Sequence, residues 1–208
     1  MSLTSPPEES VPVDEVVQQT RRTVIVAGAL AVGVVVSAWF IGAGQGLDQI
    51  GQEQPSTALL PKIREPAPDF TMSVVDERGR PRDRVHLSDF QGHPVWLNFW
   101  GSWCLPCRTE MPQIQAAYAQ LEPRGLVWLA VSLDEPAADA AGFAARNNAS
   151  FVIASDPHRA DTEASYPIAY FPTHILIDAQ GIVRDIVIAG LDQKEIVKRA
   201  ERIWAGPK

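Results

Sequence analysis

Hydrophobic and polar positions divide the chain into two regimes. From Thr23 to Leu47, "TVIVAGALAVGVVVSAWFIGAGQGL" contains no charged residue. A helix over residues 23–43 would be about 31 Å long, which matches the hydrocarbon core of a bilayer. From Ala67 onward apolar residues fall into short runs and stripes instead. "HPVWLNFW" (93–100) and "GLVWLAVSL" (125–133) are apolar runs of strand length. "PCRTEMPQIQAAYAQL" (106–121) places Met111, Ile114, Ala117, Tyr118 and Leu121 on one helical stripe. "PAADAAGFAARNN" (136–148) predicts a second helix. "THILID" (173–178), the turn "AQG" (179–181) and "IVRDIVIAG" (182–190) predict a hairpin. "DQKEIVKRAERIW" (192–204) predicts a closing amphipathic helix with Asp192 as its cap. This order implies an α/β fold with a mixed central sheet covered on both faces and flanked by helices.

Charge then orients the apolar segment. Arg21 and Arg22 precede it, and no Lys or Arg follows until Lys62. The positive-inside rule makes residues 1–22 a cytoplasmic tail and residues 23–43 a single-pass transmembrane signal-anchor. Residues 44–66, rich in Gly, Gln and Pro, read as a linker. Residues 67–208 become an extracytoplasmic, periplasmic-side domain on the cytoplasmic (inner) membrane. A cleaved signal peptide usually has a shorter apolar region, and the Arg21–Arg22 pair leaves a twin-arginine export signal as the alternative. "DERGRPRDR" (76–84) reads as a solvated turn between two edge strands, on its turn chemistry. The net charge of −7 argues against a nucleic-acid surface, which needs clustered Lys and Arg.

Both cysteines of the chain lie in "WGSWCLPCRTEMP" (100–112), after an apolar strand and at the start of a helix. Two cysteines do not make a disulfide scaffold. Haem attachment would need His where Arg108 stands, and a structural zinc site wants four ligands. His86, His93, His158 and His174 have no ligand spacing among themselves, and a cysteine peroxidase would have Thr where Gly101 stands. Redox chemistry of the Cys-x-x-Cys pair remains, with no cofactor or metal. Unpaired N–H groups at a helix start stabilise a thiolate, so Cys104 at the helix mouth would attack. Cys107, one turn deeper, would resolve the mixed disulfide. Pro106 has no N–H to leave unpaired in the first turn, and Pro112 removes an N–H inside the helix and should kink it.

"NFWGSWCLPCRTEMP" (98–112) resembles the active-site segment of the thioredoxin superfamily, and within it the membrane-tethered TlpA/ResA-like branch. "YFPTHILIDAQG" (170–181) is similar to the segment in which that family carries a cis-proline, with Phe171–Pro172 as the matching bond. "APDF" (67–70) and "VHLSDFQGHPVWLNFW" (85–100) resemble the branch's opening hairpin. The similarity covers roughly 67–204 and implies a thioredoxin-like fold. It also implies supporting roles around the thiols for Trp103, Pro106, Glu110, Phe171 and Pro172. Trp103 would form a partly exposed wall of the site and Trp100 a core aromatic. Asn98 stands where cytoplasmic thioredoxins keep a buried aspartate, and the tethered branch commonly has Asn there. Glu110 would accept the Cys107 proton or tune it; a Glu favoured by the helix dipole is the alternative. His174 departs from the Thr usual in this branch, as a structural histidine or as one that tunes the thiols.

The resemblance implies a membrane-anchored protein-disulfide oxidoreductase that reduces specific partner disulfides, with cytochrome c assembly (apocytochrome c) its best-known substrate class. Electrons would come from a separate transmembrane thiol reductase, because no cysteine lies in the apolar segment. Two alternatives use the same site. One is a copper metallochaperone, disfavoured because such carriers usually have three residues between their cysteines. The other is a disulfide-forming oxidase, disfavoured because Leu105–Pro106 lacks the histidine of strong oxidants.

Overall fold

The computed structural model describes residues 60–204, with Gln18, Arg21, Arg22 and Ile25 as isolated positions ahead of them. Among the described residues no helix is long and apolar enough to cross a membrane. The expected tail (1–22), the expected anchor (23–43) and the expected linker up to residue 59 otherwise lie outside the described residues.

Among the described residues seven strands form one sheet: β1 (Thr71–Val75), β2 (Pro81–His86), β3 (Val95–Trp100), β4 (Val127–Leu133), β5 (Val152–Asp156), β6 (Thr173–Ile177) and β7 (Val183–Val187). Their order is β2-β1-β5-β4-β3-β6-β7. β3, β4 and β5 run parallel, and every other pairing is antiparallel. Within the described residues 60–204 the α-helices are α1 (Leu105–Leu121), α2 (Ala137–Arg146) and α3 (Gln193–Trp204). All six residues of β3 are buried, as an apolar run in a sheet covered on both faces requires. α1 runs through Pro112 without a break in its span. Asp192 Oδ1 accepts the Glu195 N–H at 2.8 Å and caps α3.

The faces are covered differently from the expected flanking by helices. The crossovers β3–α1–β4 and β4–α2–β5 step the same way across the sheet, so the right-handed rule puts both helices on one face. α3 joins them, and Met111, Ile114, Phe143, Ile196 and Ile203 share one core with Trp96 and Trp128. The opposite core is closed by Leu60, Phe70, Leu87, Tyr166 and Ile168 over Leu97, Phe99 and Leu129, with no buried side chain from an α-helix.

Two local readings are corrected. Residues 60–66, expected to end the linker, are docked: Arg64 N–H donates to Val183 O at 2.8 Å and Glu65 O accepts the Val183 N–H at 3.0 Å. The 76–84 stretch does not join two edge strands, because β1 lies between β2 and β5. Its Gly79 has φ +74°, and a Cβ there would lie 2.4 Å from the backbone nitrogen of Ala138 at the start of α2. The turn is therefore packed against that helix. Gly79→Ala should cost about 2 kcal/mol through strain and this clash, read as a lower urea midpoint with an unchanged slope.

Candidate active site

β3 delivers the chain to the start of α1, and three residues of turn bring Cys104 to the N-cap. Cys104 Sγ accepts the N–H of Cys107 at 3.3 Å, so the sulfur occupies the place of a capping oxygen. Cys104 and Cys107 form a disulfide with a Cα–Cα distance of 5.3 Å. Pro106 lies in the first turn of α1. Cys104 is 5% exposed and Cys107 2%. What separates them is position: Cys104 opens the helix, and Cys107 begins its buried stripe with Glu110 and Met111.

Trp103 is half exposed and its indole N–H donates to Leu133 O at 3.2 Å. A Cβ at residue 101 would fall 2.4 Å from Trp103 Nε1, so Gly101 leaves room for the indole. The Phe171–Pro172 peptide is cis, and the Phe171 ring meets Trp103 edge-on at 5.0 Å. Leu105 and Tyr170 add two more large exposed apolar side chains to the same end of the molecule. Trp100 is buried in the core.

Three supporting residues have no local signal in the sequence. Glu135 Oε1 accepts the Ser102 N–H at 2.8 Å and the Ser132 hydroxyl at 2.5 Å. Its Oε2 accepts the Ser102 hydroxyl. One buried carboxylate thus ties the turn before Cys104 to the end of β4. Arg159 forms a fork onto Asp134, with Nε at 2.8 Å and Nη2 at 2.6 Å, and its Nη1 donates to Ile168 O at 2.5 Å. Its guanidinium also lies 5.6 Å from the centre of the Phe171 ring. The fork holds the Asp134 carboxyl below its ordinary range and pushes the guanidinium higher still. Both partners have left-handed backbones, φ +60° at Asp134 and +56° at Arg159, and a geometry disfavoured for non-glycine residues persists where surroundings over-determine it. The pair fastens the cis-proline segment to the loop after β4.

Behind the thiols lies a buried polar group. Glu110 is buried, and its Oε1 accepts the Leu191 N–H at 3.0 Å. His174 Nε2 lies 3.1 Å from the same oxygen. Asn98 and His174 are register partners in β3 and β6, and Asn98 Nδ2 is 3.1 Å from His174 Nδ1.

Residues 63–186 match the AhpC/TSA family. The thiol-disulfide oxidoreductase ResA of Geobacillus thermodenitrificans (strain NG80-2) is 36% identical over 137 residues, 66% of this chain and 75% of that protein. A Chlorobium tepidum structure assigned as a thiol:disulfide interchange protein DsbE is 33% identical with a TM-score of 0.58, covering 69% of this chain and 96% of that one. The thioredoxin domain of a thiol-disulfide oxidoreductase from Bacteroides vulgatus is 26% identical with a TM-score of 0.54, covering 68% and 97%. A helix-capping disulfide beside a cis-proline, on a sheet and sequence shared with these proteins, is a protein-disulfide oxidoreductase site, and the chain belongs to the AhpC/TSA family, among its ResA-type thiol-disulfide oxidoreductases.

Proposed function

We propose that the chain is a membrane-anchored, extracytoplasmic reductase of specific protein disulfides, with Cys104 as nucleophile and Cys107 as resolving thiol. The observation that carries this reading is the seat of Cys104. Its sulfur takes a helix N-cap, where a thiolate is stabilised, and exposed Trp103, Leu105 and Tyr170 offer apolar surface to a partner chain.

The Cys104 thiolate attacks one sulfur of the partner's disulfide, and the partner's other sulfur leaves as a thiolate that takes a proton from water. Glu110 accepts the proton of Cys107, whose sulfur then attacks Cys104. The Cys104–Cys107 bond forms and the partner's second thiolate departs. The partner gains two electrons, and this chain is left in the disulfide state that the structure holds. A separate transmembrane thiol reductase returns it to the dithiol. Cytochrome c maturation is the setting that the TlpA/ResA-like resemblance supplies, with apocytochrome c as the partner.

The copper-carrier alternative gains no support from His174. Its Nδ1 accepts the Trp96 indole N–H at 3.1 Å, and its Nε2 is turned toward the Glu110 carboxylate at 3.1 Å.

Two measurements test this reading. Alkylation of thiols in intact cells should find Cys104 and Cys107 mostly reduced; a pair held oxidised would favour an oxidase. In cell fractions, the full-length mass should stay with membranes through high salt and alkaline washing. A soluble, shortened chain would remove the anchor.

A further inference from the structure

His174 is fully buried beneath α1, opposite Asn98 in the sheet. Trp96, held by a stacked Trp128 at 4.6 Å between ring centres, aims its indole N–H at His174 Nδ1 over 3.1 Å. An indole N–H can only donate, so Nδ1 must present a lone pair. A doubly protonated ring would set one N–H against another. The geometry therefore fixes a neutral imidazole with its proton on Nε2, the nitrogen that faces Glu110 Oε1 at 3.1 Å.

Glu110 is held unevenly. Oε1 has both the Leu191 N–H and His174 Nε2 beside it, while Oε2 is buried without a hydrogen-bond partner among the described residues. Nε2 lies 3.1 Å from Oε1 but off the hydrogen-bond axis, so the bond is made only when one of the two side chains turns toward the other. Cys107 precedes Glu110 by three residues on the same buried stripe, the spacing at which helical side chains are neighbours. Asn98, at the strand position six residues before Cys104, carries an amide and offers no carboxylate.

We propose that His174 is a positioning residue for the thiol chemistry: its Nε2–H, oriented by Trp96 and Asn98, holds Glu110 Oε1 so that the unpartnered Oε2 receives the proton of Cys107. The inference rests on the reading of Glu110 as proton acceptor given above. The proton moves from Cys107 Sγ to Glu110 Oε2, and the electron pair left on sulfur forms the bond to Cys104. The bond between Cys104 and the partner's sulfur breaks as this happens, that sulfur leaves as a thiolate, and Glu110 returns the proton to solvent before the next cycle. Around the pair, α1 supplies Cys107, β3 supplies Trp96 and Asn98, β7 places Val187 opposite His174, and the loop before α3 supplies the Leu191 N–H. Asp192, in the same loop, lines the groove at Glu110 and is engaged as the α3 cap.

The test uses the reduced full-length chain in detergent with dithiobis(nitrobenzoate), whose aromatic thiol absorbs visible light when released. Attack by Cys104 releases the first equivalent at a rate that depends on reagent concentration. Resolution by Cys107 releases the second at a rate that does not. His174→Asn keeps an acceptor for the Trp96 N–H but does not reach Glu110. It should slow the second phase by about tenfold or more, leave the first within about twofold, and displace the pH profile of resolution as E110Q does. His174→Gln, whose amide reaches Glu110, should recover most of the rate. The double variant E110Q/H174N should be no slower than E110Q alone. An unchanged second phase in H174N beside a slowed E110Q would overturn the role of His174 and leave that of Glu110 standing, as would additive slowing in the double variant. An unaltered profile in E110Q would overturn the Glu110 reading itself. Should H174N fail to fold, nitrogen-15 shifts of the labelled histidines in the unsubstituted chain decide: a neutral Nε2–H ring supports the relay, and any other protonation state of His174 overturns it.

Discussion

Replacing Cys107 with Ser should convert the protein into a trap that accumulates a covalent complex with its substrate. The variant keeps the nucleophile at the N-cap of α1 and removes only the sulfur that displaces the partner. Turnover should fall by at least about a thousandfold, while a mixed disulfide releasable by added thiol builds up. Cys104→Ser should lose turnover equally and trap nothing, because the remaining thiol lies along the buried stripe of α1. Immunoprecipitation followed by non-reducing electrophoresis reads both outcomes, and the captured chain identifies the partner. Equal trapping by the two variants would reverse or abolish the division of labour proposed for them.

The largest stability effect is expected at a residue that touches neither sulfur. Asp156, at the end of β5, accepts the N–H groups of Ala160 at 2.9 Å, Asp161 at 3.0 Å and Thr162 at 2.9 Å, and the Thr162 hydroxyl at 2.9 Å. One carboxylate thus folds the loop that carries Arg159, and through Arg159 the segment ahead of cis-Pro172. Asp156→Ala removes all four charge-assisted bonds and strands the buried Thr162 donors, while the Ala160 N–H regains water. The expected loss is about 3 kcal/mol, seen as a lower urea midpoint. Proteolysis should cut within 157–170 before the sheet unfolds, since the loop loses its anchor while the strands keep theirs. Global unfolding without early cleavage in that loop would show that Asp156 serves the core and not the cis-proline segment.

These two predictions draw on different kinds of information. Cys104, Cys107 and Pro106 were legible as a motif, because a helix cap and a thiol pair are decided by neighbours within one turn. The same holds for the apolar runs that became β3 and β4, the stripe of α1 and the Asp192 cap of α3. The resemblance pointed to Phe171–Pro172 and to Glu110, but not to what Glu110 touches. Glu135 and Asp156 looked like ordinary acids near strand ends, with nothing nearby to say that each gathers several donors.

Pattern along the chain left β5 (Val152–Asp156) unread, but it was enough for β3, α1, β4, α2, the β6–β7 hairpin and α3 in that order, for the thiol pair at the mouth of α1 and for the apolar segment at 23–43. These are properties of hydrophobic period, turn chemistry and spacing, which act over a few residues. The packed chain was needed to show that α1, α2 and α3 share one face and that residues 60–66 dock on the hairpin. It also decided the partners of the buried polar groups: Ser102 with Glu135 across 33 positions, Trp96 with His174 across 78, and Glu110 with Leu191 across 81. Such pairings follow from sheet register, where Asn98 meets His174, and from crossover handedness. The physical reason is that a buried polar atom must find a partner wherever the packed chain brings one, and local pattern carries no record of which distant segment that is.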